Sequence, residues 1–284
     1  MRKETTMKLA TVTTFLGLTL ALAGTASAGR GGSPGAIRNA INSGSVDAIA
    51  AELERSEFLV CGACIDMVKP LVDNPNYKVR QVAAWWLARR AVARTVRVEM
   101  LTRLSQPDST AARNAADILG ELHTVTSIPA LGAALSNPIY SGEARAAMAR
   151  ALGTINRPAV VAHLTTGLTA PEAEVRLASL KALQGVTGLH DGTAVAPLVA
   201  DADVGVRAEA AMTLGALRAR AGTDALVTAL GDASPAVRKQ AAWALGRVGA
   251  SASVAGPALG AVAANDPSPF VRSLAAVSLT QLSR

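Results

Sequence analysis

Over most of the chain, apolar positions recur on one schedule. From residue 78 onward a Val-Arg pair is followed by a leucine eight places after the valine. The copies are Val79-Arg80…Leu87, Val175-Arg176…Leu183, Val206-Arg207…Leu214, Val237-Arg238…Leu245 and Val271-Arg272…Leu279. Ala144-Arg145…Leu152 keeps the spacing with alanine first, and Ala111…Leu119 carries its arginine one place late, at Arg113. The leucine column therefore advances in steps of 31 to 34 residues. Seven copies at that period mark a repeat architecture.

Within each copy the spacing is helical. Val237, Ala241, Ala242 and Leu245 share one face of a 3.6-residue period. Pro235 and Pro269 precede such stretches, where a missing N–H costs nothing at a helix start. Gly120, Gly153, Gly215 and Gly246 follow their leucines, and the expectation from that position is a helix end in left-handed conformation. A second apolar segment comes next in each period, as in Ala196-Pro197-Leu198-Val199 and Asp224-Ala225-Leu226-Val227. Each period is a helix, a turn and a second helix, and neither helix buries its apolar face alone. Stacked pairs form a continuous core, so the sequence predicts an all-α fold, an α-solenoid of about seven helix pairs.

Residues before the repeats read differently. Gly29 to Gly35 is a flexible stretch, Ile37–Ile41 a helical turn, and Ser45 an N-cap for a helix over 46–55. A further helix is expected from Glu57 toward Val72, broken by Asp73-Asn74-Pro75-Asn76. Segment 36–76 is thus an irregular helical cap on a solenoid spanning 77–284.

The run Asp232-Ala233-Ser234-Pro235-Ala236-Val237-Arg238-Lys239-Gln240-Ala241-Ala242-Trp243-Ala244-Leu245-Gly246 resembles the HEAT-like repeats first associated with phycobilisome lyases. The resemblance covers roughly residues 75–284. It implies the solenoid fold; chromophore-lyase activity is implied only by the family's name, because one solenoid supports many roles. The repeat type also resembles iron-dependent HEAT hydroxylases, whose metal ligands are His-Glu pairs. Here His123, His163 and His190 are followed by Thr124, Leu164 and Asp191, which leaves that chemistry without ligands.

Asp201, Asp232 and Asp266 each lie six residues before Arg207, Arg238 and Arg272. The expectation is that each repeat sets its own acid beside its own base, giving a structural ladder of charge-assisted hydrogen bonds along the turns.

The first 28 residues read as an address. Arg2, Lys3 and Lys8 precede an apolar stretch from Leu9 to Ala23, which ends in Ala26-Ser27-Ala28. A basic start, a short apolar run and a small-x-small cleavage site make a secretory signal peptide, with Met7 as an alternative start and an uncleaved anchor as the alternative outcome. The expected location is periplasmic or secreted, with no membrane span in the mature chain.

Charge then becomes informative. The whole chain holds 28 basic and 21 acidic residues, a formal +7, but the excess is local. Lys78, Arg80, Arg89, Arg90, Arg94, Arg97 and Arg103 stand against Glu99 alone between positions 78 and 103. Trp85 and Trp86 lie in the same stretch, Trp85 at the repeat position of Trp243 and Trp86 at that of Ala244. Arginines around an aromatic anchor have the composition of an interaction surface; the other reading is a solvated face whose tryptophans fill the junction to the cap. In an exported chain the expected partner is a protein, an acidic one included, or an anionic envelope component, and not nucleic acid.

The two cysteines form Cys61-Gly62-Ala63-Cys64. Three readings stay open: a structural disulfide, buried free thiols, or redox chemistry. Haem attachment needs a histidine where Ile65 stands, and structural zinc needs four ligands. No cofactor, metal or catalytic constellation is expected. The functional expectation is an exported, non-enzymatic scaffold that binds a macromolecule through its concave face and the Arg/Trp-rich region. The alternatives are a thiol–disulfide protein and an accessory subunit that matures another envelope protein.

Overall fold

The computed structural model describes residues 32–249 and 252–282, and the expected signal peptide lies outside them. Among the described residues the chain is helical throughout, without strands. Helices α1 (Pro34–Ser43), α2 (Val46–Arg55) and α3 (Gly62–Val68) come first, and a 3₁₀ segment at Lys69–Asp73 follows. The repeats run from α4 (Tyr77–Ala88) and α5 (Ala93–Leu104) through α6 (Ser109–Glu121), α7 (Ile128–Leu135), α8 (Gly142–Ile155) and α9 (Val161–Gly167). They continue with α10 (Ala173–Gln184), α11 (Val204–Leu217), α12 (Thr223–Ala229), α13 (Pro235–Arg247), α14 (Ala252–Asn265) and α15 (Pro269–Leu282).

Seven helices carry the Val-Arg…Leu pattern: α4, α6, α8, α10, α11, α13 and α15. Each packs on the next along its length, and α5, α7, α9, α12 and α14 form a second layer behind them. The protein is an all-α solenoid, but not every repeat is a full pair. The second element of the fourth repeat is only a 3₁₀ segment, Ala196–Ala200, and among the described residues α15 has no partner after it.

Small side chains set the spacing of the motif layer. Ala115, Ala116, Ala146, Ala147, Ala210, Ala211, Ala241 and Ala242 are buried where one motif helix meets its neighbours. The column glycines act here, and the expectation that they end helices is corrected. Gly120, Gly153, Gly215 and Gly246 all lie inside helices. A Cβ on Gly153 would stand 2.8 Å from Cβ of Ala182, and one on Gly215 2.8 Å from Cα of Ala244. Glycine is required because the next helix backbone approaches so closely. The left-handed residues that leave the helices come later, at Asn156, Arg218 and Gly249.

Serine, asparagine and aspartate start the helices. Ser33, Ser45, Asn76, Asp108, Ser141 and Asp203 each accept a backbone N–H of the first turn. Helix α1 thus begins at Pro34, inside the stretch read as flexible, because Ser33 caps it. The segment before α4 also behaves as part of the stack: α2 packs on α4, and the 3₁₀ segment at 69–73 packs on α4 and α6. The helix expected from Glu57 starts only at Gly62, and residues 57–61 form a loop.

Candidate interaction site

The arginine column forms a ladder, with a different register from the one expected. Arg207 donates from Nε and Nη2 to Asp232 at 2.8 and 3.3 Å, the acid of the following repeat. Its Nη1 turns back to the carbonyls of Asp201 and Ala202 in its own turn. Arg176 meets Asp201 and Arg238 meets Asp266 in the same way, and Arg145 meets Glu172. The own-repeat pairing of Asp201, Asp232 and Asp266 with Arg207, Arg238 and Arg272 therefore involves backbone carbonyls, while the carboxylates join successive repeats. Among the described residues, Arg272 in α15 holds the carbonyls of Asp266 and Pro267 and no carboxylate. Each rung is occupied within the chain, so the ladder is structural.

The basic stretch 78–103 is largely neutralised by acids from elsewhere. Lys78 pairs with Asp47 at 2.8 Å, Arg80 with the buried Asp117 at 2.6 Å, and Arg89 with Glu57 at 2.9 Å. Arg103 meets both Asp73 and Glu99 at 2.7 Å. Of the remaining three, Arg90 is spent on carbonyls, and Arg94 and Arg97 make no ion pair among the described residues. Arg94 is exposed and Arg97 half-buried.

The tryptophans divide. Trp86 is fully buried (0% exposed), so its ring belongs to the core and is not available as a surface anchor. It stands at the repeat position that Ala244 occupies in α13. Trp85 is half-buried under the Arg89 guanidinium, 4.1 Å from its ring centre, and Trp243 stands under Arg247 in the same i, i+4 arrangement at 5.0 Å.

What this corner builds is a braced loop. After α2, the Ser56 hydroxyl donates to the Glu52 carbonyl, the Leu59 N–H closes a turn on the Ser56 carbonyl, and the chain leads on through Val60 to Cys61. The Trp86 indole N–H donates to the Ser56 carbonyl at 3.2 Å. Arg90 Nη2 donates to the carbonyls of Ser56, Glu57 and Leu59 at 3.1, 3.0 and 3.4 Å, and Nη1 donates to that of Trp86. Burial, together with the neighbouring charge of Arg89, draws the Arg90 guanidinium down to about 10, with Glu57 opposing. It remains a cation at neutral pH. Its face lies over the Trp86 ring, 3.1 Å from the centroid.

Exposure alternates along this loop. Phe58 is 88% exposed and Val60 99%, while Leu59 and Cys61 turn partly inward. Cys61 is bonded to Cys64, which is fully buried at 0% exposure, and the Cys61 sulfur accepts the Cys64 backbone N–H. Phe58, Val60, Cys61, Ile65, Arg89 and Arg90 line an open cleft of about 680 Å³. Phe58 and Val60 escaped the reading of the sequence, which had placed them on a helix. Their signal was the alternation Glu57-Phe58-Leu59-Val60-Cys61.

Among the described residues no helix is long and apolar enough to cross a membrane. Nor do they contain a cluster of His, Cys, Asp and Glu that could hold a metal ion. His190, exposed, sets Nδ1 3.0 Å from the Leu217 carbonyl.

A family model described as HEAT repeats matches residues 98–184 and 192–280, more than half of the chain. Among solved structures, the Escherichia coli protein YibA is similar with a TM-score of 0.55 at 15% identity, over 89% of this chain and 93% of its own. An engineered protein gives 0.53 at 22% identity, over 84% and 70%. The complex of CpcE and CpcF of phycocyanin lyase from Nostoc gives 0.42 at 19% identity, over 77% and 94%. At these identities the likenesses speak for the fold alone. Comparison with curated proteins finds no match. With its repeat column, its inter-repeat ladder and the family match all falling on the same helices, the chain belongs to the HEAT-repeat family.

Proposed function

We propose that this HEAT-repeat scaffold is an exported protein that binds a protein partner, and that the partner docks on the Phe58–Cys61 loop at the N-terminal end of the stack. One observation carries the reading. Two large apolar side chains, Phe58 and Val60, stand almost wholly in water on a loop that Arg90 and Trp86 hold in place. An apolar feature held out rigidly loses little freedom on docking. The concave face belongs to the same reading as a second contact area. The motif helices, closely packed on one another, supply the continuous layer such a contact would use.

The charge expected to attract an acidic partner is reduced to Arg94 and Arg97, so an apolar contact takes precedence over an electrostatic one. Export is supported by the basic-apolar-AlaSerAla order of the first 28 residues. The test expresses the full chain in a bacterial host and sequences the N-terminus of the extracytoplasmic fraction. A start at Gly29 is expected, and retention of the full chain in the cytoplasm overturns export. For docking, the mature protein is cross-linked in its own envelope extract, with Phe58→Ser/Val60→Ser beside an Ile139→Ser control. Loss of the cross-linked species in the first variant alone is expected; equal yields from all three overturn the site.

A further inference from the structure

We infer that Cys61–Cys64 is a thiol–disulfide exchange site, and that Cys61 is the sulfur attacked by a cysteine thiol of the docked partner. The inference deepens the docking reading above and rests on it for the peptide, though not for the sulfur chemistry.

Three observations meet at this loop. The two sulfurs are unequal: Cys64 is fully buried in the core, whereas Cys61 is half-buried and lines the open cleft. Exchange needs an attacking thiolate to reach one sulfur, and access singles out Cys61. The surroundings of that sulfur also match a substrate of definite chemistry. Phe58, Leu59, Val60 and Ile65 supply apolar walls, and Arg89 and Arg90 supply positive charge. An extended apolar segment carrying a cysteine fits such a cleft, and nearby guanidinium groups favour the thiolate over the thiol. Finally, the loop has ties besides the disulfide. Arg90 and Trp86 bind the carbonyls of Ser56, Glu57 and Leu59 directly.

The step balances as follows. A partner thiol loses its proton to solvent, and its sulfur bonds to Sγ of Cys61. The Cys61–Cys64 bond breaks, and its electron pair leaves on Sγ of Cys64, which takes a proton from solvent. A second thiol of the partner then gives its proton to solvent and its sulfur attacks the partner's own sulfur in the mixed disulfide; that bond breaks, and its electron pair leaves on Sγ of Cys61, which takes a proton from solvent. The partner's two thiols are oxidised to a disulfide and the Cys61/Cys64 pair is reduced to two thiols, a transfer of two electrons.

The experiment uses the whole mature chain. It is equilibrated in glutathione buffers, its thiols are alkylated and weighed, and its helicity and melting are followed in parallel. Reduction by ~10 mM reduced glutathione, with helicity kept, is expected of an accessible exchange bond. Resistance to a ~1,000-fold excess of reduced over oxidised glutathione, or loss of helicity and a lowered melting point on reduction, marks a structural bond and overturns the exchange. Cys64→Ser, with Cys61 as its only thiol, should form a mixed disulfide with oxidised glutathione at least ~10-fold faster than Cys61→Ser does. Equal rates overturn the assignment of Cys61. Phe58→Ser/Val60→Ser should slow exchange with the disulfide-linked dimer of an apolar one-cysteine peptide by ~10-fold, about 1.4 kcal/mol, and leave the glutathione rate unchanged. No selective slowing overturns the docking reading while the glutathione measurements still decide the exchange.

Discussion

Arg207 bonds Asp232 of the next repeat through its side chain and Asp201 of its own repeat through the backbone carbonyl. One guanidinium therefore closes its own turn and ties it to the following one. A charge-assisted bond of this kind contributes about 1–2 kcal/mol when partly shielded from water. Asp232→Asn should lower unfolding free energy by about that amount. The register gives a sharper test. A double-mutant cycle on Asp201 and Arg176 should show coupling of about 1 kcal/mol, while one on Asp201 and Arg207 should show little. Chemical denaturation of the four variants in each cycle measures both. The reverse result restores pairing within a repeat.

Stability should also fall in acid for a reason that belongs to this ladder. Hydrogen bonds from Arg207 hold the Asp232 carboxyl below its ordinary value, and those from Arg238 do the same for Asp266. At Asp201 burial pushes upward, but Arg176 and the Asp203 N–H outweigh it and the net direction is down. A carboxyl depressed on folding binds its proton more readily in the unfolded chain. Its contribution is complete above the ordinary carboxylate range and is lost as pH falls through the depressed folded value. Urea midpoints should hold steady from about pH 7 to 5 and drop below about pH 4. Asp232→Asn should flatten that drop; an unchanged slope would remove the ladder as its cause.

The column glycines make an opposite pair of predictions. At Gly153 a methyl group meets the backbone and Cβ of Ala182, so Gly153→Ala should destabilise by about 1–3 kcal/mol through overpacking. Gly260, inside α14, has nothing within 4 Å of the same position. There the lower helix propensity of glycine dominates, and Gly260→Ala should stabilise by about 0.5–1 kcal/mol. Thermal melts of both variants decide the matter. Two losses of similar size would mean that the close helix crossing is not what requires Gly153.

The repeat and its helices were legible because seven copies impose the same face on the same period, and because stacking is the only way such helices bury that face. The ladder residues were visible for the same reason, but their register was not. Six residues of sequence separate Asp201 from Arg207, whereas Asp232 lies 25 away and comes close only once the helices are stacked. The charge of the 78–103 stretch misled in a similar way. Its counterions, Asp47, Glu57, Asp73 and Asp117, sit outside the segment and are brought to it by packing. The exposed loop was hidden by its neighbourhood: between two helices, Phe58-Leu59-Val60 reads as more helix. The turn that the Leu59 N–H closes on the Ser56 carbonyl, with Arg90 and Trp86 donating to the loop's carbonyls, takes it out of the helix.

That brace supplies the last test, because it separates two arginines that look alike in sequence. Arg90 donates to the carbonyls of Ser56, Glu57, Leu59 and Trp86. Removing it leaves partly buried carbonyl groups short of a donor, and Arg90→Ala should cost about 2 kcal/mol. The loop over 56–61 should also become the first site cut by a protease under native conditions, since local opening governs such cleavage. Arg94→Glu with Arg97→Glu disturbs no bond among the described residues and should stay within about 0.5 kcal/mol of the parent. Trp86→Phe deletes the N–H to Ser56 and also part of a fully buried ring, so it should destabilise through both the lost hydrogen bond and the cavity left behind. Limited proteolysis read by mass spectrometry, beside thermal melts, orders the variants. If Arg90→Ala is as silent as the surface pair, the loop is not held by Arg90, and the rigid display of Phe58 and Val60 loses its cause.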